Sequence, residues 1–335
     1  MTANLQNPVF ISSDTARAVF RWKDAIAALQ KAYAHSIPAK ATPPRTVAVL
    51  EKTWLRNLPA IPPGSRYYGA KLMGSNMGGD APPGIEYVIV LFDRTTNRIA
   101  AFVDGNLVTG YRTASTSAAA LDRLAPKGPA RLAVLGSGQE AAMHTRAFAS
   151  VRELTEVNVF SPTPDRRAAF AEAVTADTGV PAKGVASAKE AVEGADIVLT
   201  AARSRGEEPI LFAEWLKPGA TVVSIGSTIP EQREIDVSVV ERSDIIICDT
   251  LEEVLEETGD MLAAKAADIE FHNKAFSLAD LMSGACADAV AKSRAPMFKS
   301  VGGGLQDIVV AELILTNAIE AGLATPLPIQ FETKS

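Results

Sequence analysis

The sequence predicts an α/β protein: a doubly wound parallel sheet joined to a discontinuous α+β domain. Three observations carry this. From Arg131 onward, short apolar strands alternate with helical segments, the pattern of a parallel sheet. The first of those strands runs straight into Gly136-Ser-Gly-Gln-Glu-Ala141, a G-x-G-x-x-A turn. A long helix after Phe298 has no strand partner there and is expected to cross back onto the N-terminal part.

Taken in order, Val9–Ser12 reads as a strand. Trp22, Ile26, Leu29 and Tyr33 recur on one face and predict a helix over Arg21–His35. Pro43-Pro44 breaks it, Arg45 opens a strand at Thr46–Leu50, and a second strand, Tyr67–Met73, carries Lys71. Gly74–Gly84 reads as a loop. Tyr87–Phe92 and Ile99–Val103 form a hairpin with turn chemistry at Asp93 and Asn97. A helix of small residues runs from Thr109 to Leu124, with Arg112 in its first turn, and Pro126-Lys127-Gly128-Pro129 reads as a linker.

The second part reads as strands Arg131–Leu135, Glu156–Phe160, Ala182–Val185, Ile197–Ala201, Thr221–Ile225 and Asp244–Cys248, with helices such as Arg166–Ala176 between them. The last helix spans Ile308–Ala321. The expected domains are therefore 1–127 with 308–335, and 128–307.

In the glycine turn, Gly136 permits the tight bend and Gly138 lets the backbone approach a pyrophosphate. The small Ala141 allows helix and strand to pack closely, while free N–H groups at the helix start face the phosphates. With a legible strand before it and a helix after it, this is a Rossmann dinucleotide site. An acid at the end of the second strand would take the ribose hydroxyls. Ser161 stands there instead, with Arg166 and Arg167 downstream. That tolerates a 2′-phosphate and leans towards NADP(H), while Asp165 is an alternative ribose partner. The choice between NAD(H) and NADP(H) stays open.

Composition narrows the partners. The net charge is −6 and no Lys/Arg block occurs, which argues against nucleic acid or a membrane surface. The two cysteines, Cys248 and Cys286, suggest no disulfide framework, and the N-terminus has no signal-peptide pattern. A cytoplasmic location is expected. Three histidines without metal-ligand spacing leave no catalytic metal site in view. Arg45, Lys71 and Arg112 stand out as cations suited to a carboxylate ligand. A lysine facing the interior of a strand costs desolvation unless a partner or ligand answers it.

The chain resembles the ornithine cyclodeaminase/mu-crystallin family over nearly its whole length. The resemblance rests on Pro44-Arg45, Gly69-Ala-Lys71, the strand ending at Asp93, Gly110-Tyr-Arg-Thr-Ala114, Gly136-Ser-Gly-Gln-Glu140, Glu234-Ile-Asp236, and Phe298-Lys-Ser-Val-Gly302 with Gln306-Asp307. It implies a homodimer built through the first domain, with substrate and nicotinamide meeting in an interdomain cleft. It also implies that Arg45, Lys71 and Arg112 bind substrate, while Thr113, Gly138, Gln139, Thr200 and Ser300 line the cofactor. The expected cofactor set is completed by Gly136, Ser137 and Glu140 in the turn, by Ser161, Thr163 and Arg166 after the second strand, and by Gly226 and Thr228.

One departure matters. Cyclodeaminases of this family carry an aspartate after the fifth strand, where this chain has Thr228. A threonine cannot serve as a base near neutral pH or hold a developing cation as a carboxylate does. The expected activity is therefore reduction of the C=N bond of a small α-imino acid with NAD(P)H. Candidate substrates are a cyclic ketimine, iminosuccinate, or the imine of pyruvate as in an alanine dehydrogenase. A dicarboxylate needs a further cation, for which Arg56 or Arg66 is available. The alternatives are an ornithine or lysine cyclodeaminase and a non-catalytic, mu-crystallin-like binding protein.

Overall fold

A computed structural model of the chain describes residues 7–78, 84–202 and 206–333. It divides into two compact units, Met1–Thr113 with Gly303–Ser335, and Ala114–Gly302. The division falls inside the helix Gly105–Leu124 and at Gly302/Gly303, where the sequence placed it at 127/128 and 307/308. Residues 304–307 belong with the first unit because they open the last helix, Gly304–Glu320, which packs on that unit's sheet.

The first unit is a sheet of β1 (Val9–Ile11), β2 (Thr46–Leu50), β3 (Thr53–Ala60), β4 (Tyr67–Asn76), β5 (Glu86–Asp93) and β6 (Ile99–Asp104). Their order is β1-β6-β5-β4-β3-β2, with a two-residue strand at Thr325–Pro326 beside β1. β2 to β6 form an antiparallel meander, while β1 runs parallel to β6. The β5–β6 turn behaves as its sequence predicts: Asp93 Oδ1 accepts from the Thr95 and Thr96 amides, and Asn97 adopts φ +56°. β4 continues through Asn76, so the first residues of the expected Gly74–Gly84 loop are strand; residues 79–83 lie outside the described ones. β3 and the short helix Ser13–Val19, capped by Ser12, were not expected from sequence.

The last helix lies on β3, β4 and β5 of this sheet. Its start is tight. A Cβ on Gly304 would sit 2.7 Å from the Pro59 carbonyl oxygen and 2.8 Å from that of Leu58, so only glycine lets the helix seat there. Farther along, Glu312 accepts from the Arg66 amide at 3.2 Å, so the helix runs along β4 towards its beginning.

The second unit holds the parallel sheet: β7 (Ala130–Leu135), β8 (Leu154–Phe160), β9 (Ala182–Gly184), β10 (Ile197–Thr200), β11 (Thr221–Ser224), β12 (Ile245–Cys248), β13 (Ala275–Ser277) and β14 (Pro296–Lys299). Their order is β13-β12-β14-β11-β10-β7-β8-β9, and every pairing is parallel. β10, β11, β12 and β14 are buried along their whole length, as strands covered on both faces must be. β7 lies between β8, the next strand in the chain, and β10, a later one. The strand order therefore reverses there, and the crevice beyond the ends of β7 and β10 is where such sheets bind ligands. β13 and β14 were not expected from the sequence. No helix among the described residues is long and apolar enough to cross a membrane.

Candidate active site

In the first unit the site grows out of β4. Pleating sends Lys71 and Met73 to one face, with Lys71 opposite Leu58 on β3 and Ile89 on β5. Both neighbours are buried and apolar, and Lys71 itself is only 1% exposed. Such an ammonium needs an anion, and the last helix brings one. Asp307, in its first turn and fully buried, accepts from Lys71 Nζ at 2.9 Å. A longer contact, 3.4 Å, runs from Nζ to Thr109 Oγ1.

Arg112 reaches the same carboxylate, its Nε 3.1 Å from Asp307 Oδ1. Its Nη1 donates to Gln306 Oε1 at 2.8 Å, and Gln306 Nε2 in turn donates to the Tyr33 hydroxyl at 3.1 Å. Two expected cations therefore meet on one helix turn. Among the described residues, Asp307 Oδ2 accepts no hydrogen bond, although it is buried. The ammonium of Lys71, with three protons, has the two acceptors named above among the described residues.

Burial pushes the Lys71 ammonium down to about 8; the adjacent Asp307 opposes the fall, while Arg112 and Arg45 add to it. Arg45, half-buried just before β2, thus lies close enough to act on Lys71. Of the two reserve cations, Arg66 is committed to Asp93, with bonds of 2.9 and 2.6 Å to Oδ2. Arg56 lies on β3, its guanidinium 5.5 Å from the Trp54 ring centroid.

In the second unit, Gly136 turns the chain at φ +124°, and a Cβ there would lie 2.6 Å from the Ala201 carbonyl oxygen. Gly138 is the N-cap of helix Gln139–Ala149, whose start carries no side-chain cap. A Cβ on Gly138 would meet nothing within 4 Å, so the backbone here faces open space. An uncapped helix start behind an open glycine fits a pyrophosphate. Ser137 Oγ donates to Ser161 Oγ at 2.9 Å, tying the turn to the end of β8. Thr163 caps the next helix by position, without a side-chain bond, and Arg166 is exposed. Arg167 stacks over Phe160, 5.8 Å to the centroid, and donates to the Ser161 carbonyl at 3.0 Å.

The remaining expected residues are spread over strand ends. Glu140 accepts through its carbonyl at 2.7 Å from the buried His144. Thr200 is buried at the end of β10 and Ser300 follows β14, its Oγ donating to Asp249 at 2.7 Å. Gly226 donates its N–H to Glu234 Oε2 at 2.8 Å, and the Thr228 amide and hydroxyl both reach Gln232 Oε1, at 3.0 and 3.1 Å. Thr113 falls in the first unit, its hydroxyl donating to the Thr109 carbonyl at 2.7 Å.

Sequence reasoning missed the anions. Asp307 pairs with a lysine 236 residues away, which no local pattern reveals. The second unit hides a similar group: Lys299 Nζ donates to Asp260 Oδ2 at 2.9 Å, to Ser224 Oγ at 3.0 Å and to the Ser227 carbonyl at 3.3 Å. Glu234 joins it through Ser224 Oγ at 2.9 Å and also holds the amides of Ala202 and Gly226. Burial pushes the Glu234 carboxyl up; Lys299 pulls it back, and Asp260 adds to the rise. Among the described residues no group of His, Cys, Asp and Glu is arranged to hold a metal ion.

The model of the ornithine cyclodeaminase/mu-crystallin family matches residues 10–322. The chain belongs to this family. Ketimine reductase mu-crystallin of Mus musculus is 35% identical over 234 residues, 70% of each chain. Delta(1)-pyrroline-2-carboxylate reductase of Bacillus cereus is 29% identical, covering 71% of this chain and 73% of the relative. Among solved structures, Thermococcus litoralis Delta(1)-pyrroline-2-carboxylate reductase, in complex with NADH and L-proline, matches with a TM-score of 0.85 at 25% identity. That match covers 95% of this chain and 100% of the other.

Proposed function

We propose that this family member is an NAD(P)H-dependent oxidoreductase that reduces the C=N bond of a small α-imino acid to the α-amino acid. The first unit takes the substrate and forms the dimer contact; the second takes the dinucleotide. The observation that carries the reading is the Lys71–Asp307–Arg112 cluster: a buried ammonium with a proton to share, beside an arginine fork. Arg45 and Arg112 hold the α-carboxylate. Lys71 hydrogen-bonds the imine nitrogen and, as the ammonium, favours the protonated, electrophilic iminium. The nicotinamide supplies the hydride when bound. The reaction balances as imine plus NAD(P)H plus H⁺ giving amine plus NAD(P)⁺. Fixing the substrate in a near-attack geometry removes roughly 7–11 kcal/mol of barrier.

Gly136, Ser137, Gly138, Gln139 and Glu140 take the pyrophosphate side, and Ser161, Thr163 and Arg166 the ribose. Thr113, Thr200, Gly226, Thr228 and Ser300 complete the cofactor set. Thr228, bonded to Gln232, offers no carboxylate to drive ammonia loss. The sheet face of the first unit turned away from the last helix carries Leu55, Leu72, Val88 and Phe102, partly exposed, and suits a second copy of the chain.

The test is to mix enzyme, NADH or NADPH, and a panel of imino acids, and follow absorbance of the reduced nicotinamide. Net consumption is expected, from a protein that light scattering finds at twice the chain mass. Ammonia release from ornithine or lysine without net cofactor turnover would make the protein a cyclodeaminase. Silence with every substrate alongside tight dinucleotide binding would make it a binding protein.

A further inference from the structure

We infer that Tyr33 and Gln306 are positioning residues, which orient the Arg112 guanidinium towards the substrate's α-carboxylate; the inference rests on the reductase reading above. Arg112, Gln306 and Tyr33 are all buried and form one chain of hydrogen bonds. Arg112 Nη1 donates to Gln306 Oε1 at 2.8 Å, and Gln306 Nε2 donates to the Tyr33 hydroxyl at 3.1 Å. Asp307, the next residue, lies 3.1 Å from Arg112 Nε. Consecutive residues in the first turn of the last helix therefore hold two nitrogens of one guanidinium.

The direction of each bond in the chain is forced. A guanidinium only donates, so the glutamine must turn its oxygen towards Arg112. Its NH2 then points the other way, and a buried donor is costly to leave unanswered. The Tyr33 oxygen is the acceptor it meets. With the amide reversed, N–H would face N–H, and the guanidinium would have to swing aside. Tyr33 thus holds Gln306 the right way round, and Gln306 holds the fork of Arg112.

The element that carries Tyr33 is itself fixed against Arg112. Tyr33 is the last residue of the helix Trp22–Tyr33, which packs on the last helix. At the other end of that helix, Phe20 and Trp22 close on Tyr111, the residue before Arg112. The Phe20 and Tyr111 rings stack with centroids 3.9 Å apart, and Trp22 meets Tyr111 edge-on at 5.6 Å. Apolar periodicity accounts for Trp22, Ile26, Leu29 and Tyr33 on one face, but a phenylalanine would serve that face as well as a tyrosine. The hydroxyl is the part that the site uses.

The experiment measures KM and kcat for whichever of Δ1-pyrroline-2-carboxylate, iminosuccinate and the imine of pyruvate the wild-type protein reduces fastest. Tyr33→Phe keeps the ring and removes the acceptor. KM should rise about tenfold, the scale of one hydrogen bond left unmade, while kcat and the affinity for reduced dinucleotide change by less than about threefold. Gln306→Glu supplies the control. A carboxylate has two like oxygens, so it has no wrong way round and needs no acceptor from Tyr33. In the Gln306→Glu background, Tyr33→Phe should therefore raise KM by less than about twofold. A tenfold rise in both backgrounds would make Tyr33 a packing residue that acts independently of the glutamine, and would overturn the inference. So would an unchanged KM in the Tyr33→Phe protein, which leaves the reductase reading intact. A wild-type protein that reduces none of the three imines would instead remove that reading, and the inference with it.

Discussion

Each unit buries a lysine against an aspartate at the same distance, 2.9 Å, with both partners essentially inaccessible. Around Lys299 every ammonium proton finds an acceptor, in Asp260, Ser224 and the Ser227 carbonyl. The nearby carboxylate of Glu234 holds backbone amides. Around Lys71 the charges besides Asp307 are the cations Arg112 and Arg45, and one oxygen of the aspartate has no hydrogen-bond partner among the described residues. A saturated cluster fixes loops. An unsaturated, charge-crowded one, whose ammonium sits near a pKa of 8, is suited to bind a ligand and share a proton. Ion-pair distance alone does not separate the two; the count of satisfied donors and acceptors does.

The strongest way to break this contrast is through turnover. Lys71→Ala should lower kcat for imine reduction by about a thousandfold, the middle of the range for a lost proton donor, while dinucleotide affinity changes by less than about threefold. Steady-state rates and a fluorescence titration of the reduced cofactor check it. Equal losses in both would strip Lys71 of its role.

Next in size is a stability difference. Among the described residues, Lys299→Met leaves Asp260 and Glu234 buried with Arg233 as the one remaining cation paired there, 3.4 Å from Asp260, and should cost about 3–5 kcal/mol. Lys71→Met leaves Asp307 its arginine partner and removes an ammonium that burial disfavours, so its cost should be clearly smaller. Urea unfolding of the two variants measures both. The reverse order would mean that the Lys71 cluster holds the fold together.

The smallest effect lies in pH dependence. Lys71 keeps its proton below about 8 and loses it above. The reductive kcat/KM should therefore be flat at lower pH and fall by about tenfold per pH unit beyond that point. Asp307 raises the pKa of Lys71, so Asp307→Asn should move the break to lower pH. A break caused by the substrate's own titration would stay where it was, and the comparison of profiles tells them apart.

Much of the fold was legible because apolar period and turn chemistry agree. The β7 strand, its glycine turn and the following helix announce themselves, as does the β5–β6 hairpin through Asp93 and Asn97. β3 and β14 were not legible for a shared reason. Each carries a cation where the alternation or run calls for an apolar residue, Arg56 in β3 and Lys299 in β14, and each contains a proline. In β14 the local pattern gives way to a charge answered by Asp260, 39 residues back along the chain. In the candidate site the cations could be named from sequence because arginine and lysine beside breaks and in strands are conspicuous. Asp307 could not be given its role, because a first-turn aspartate is an ordinary helix-start residue.

The last helix gives the site a birth order. Lys71 and Arg112 leave the ribosome early, but their shared carboxylate arrives 195 residues after Arg112, behind the whole parallel sheet. A nascent chain therefore holds the antiparallel sheet without its covering helix until synthesis is almost finished. A stop just ahead of Gly304 yields a chain that has every strand of the parallel sheet but leaves Lys71 and Arg112 without Asp307.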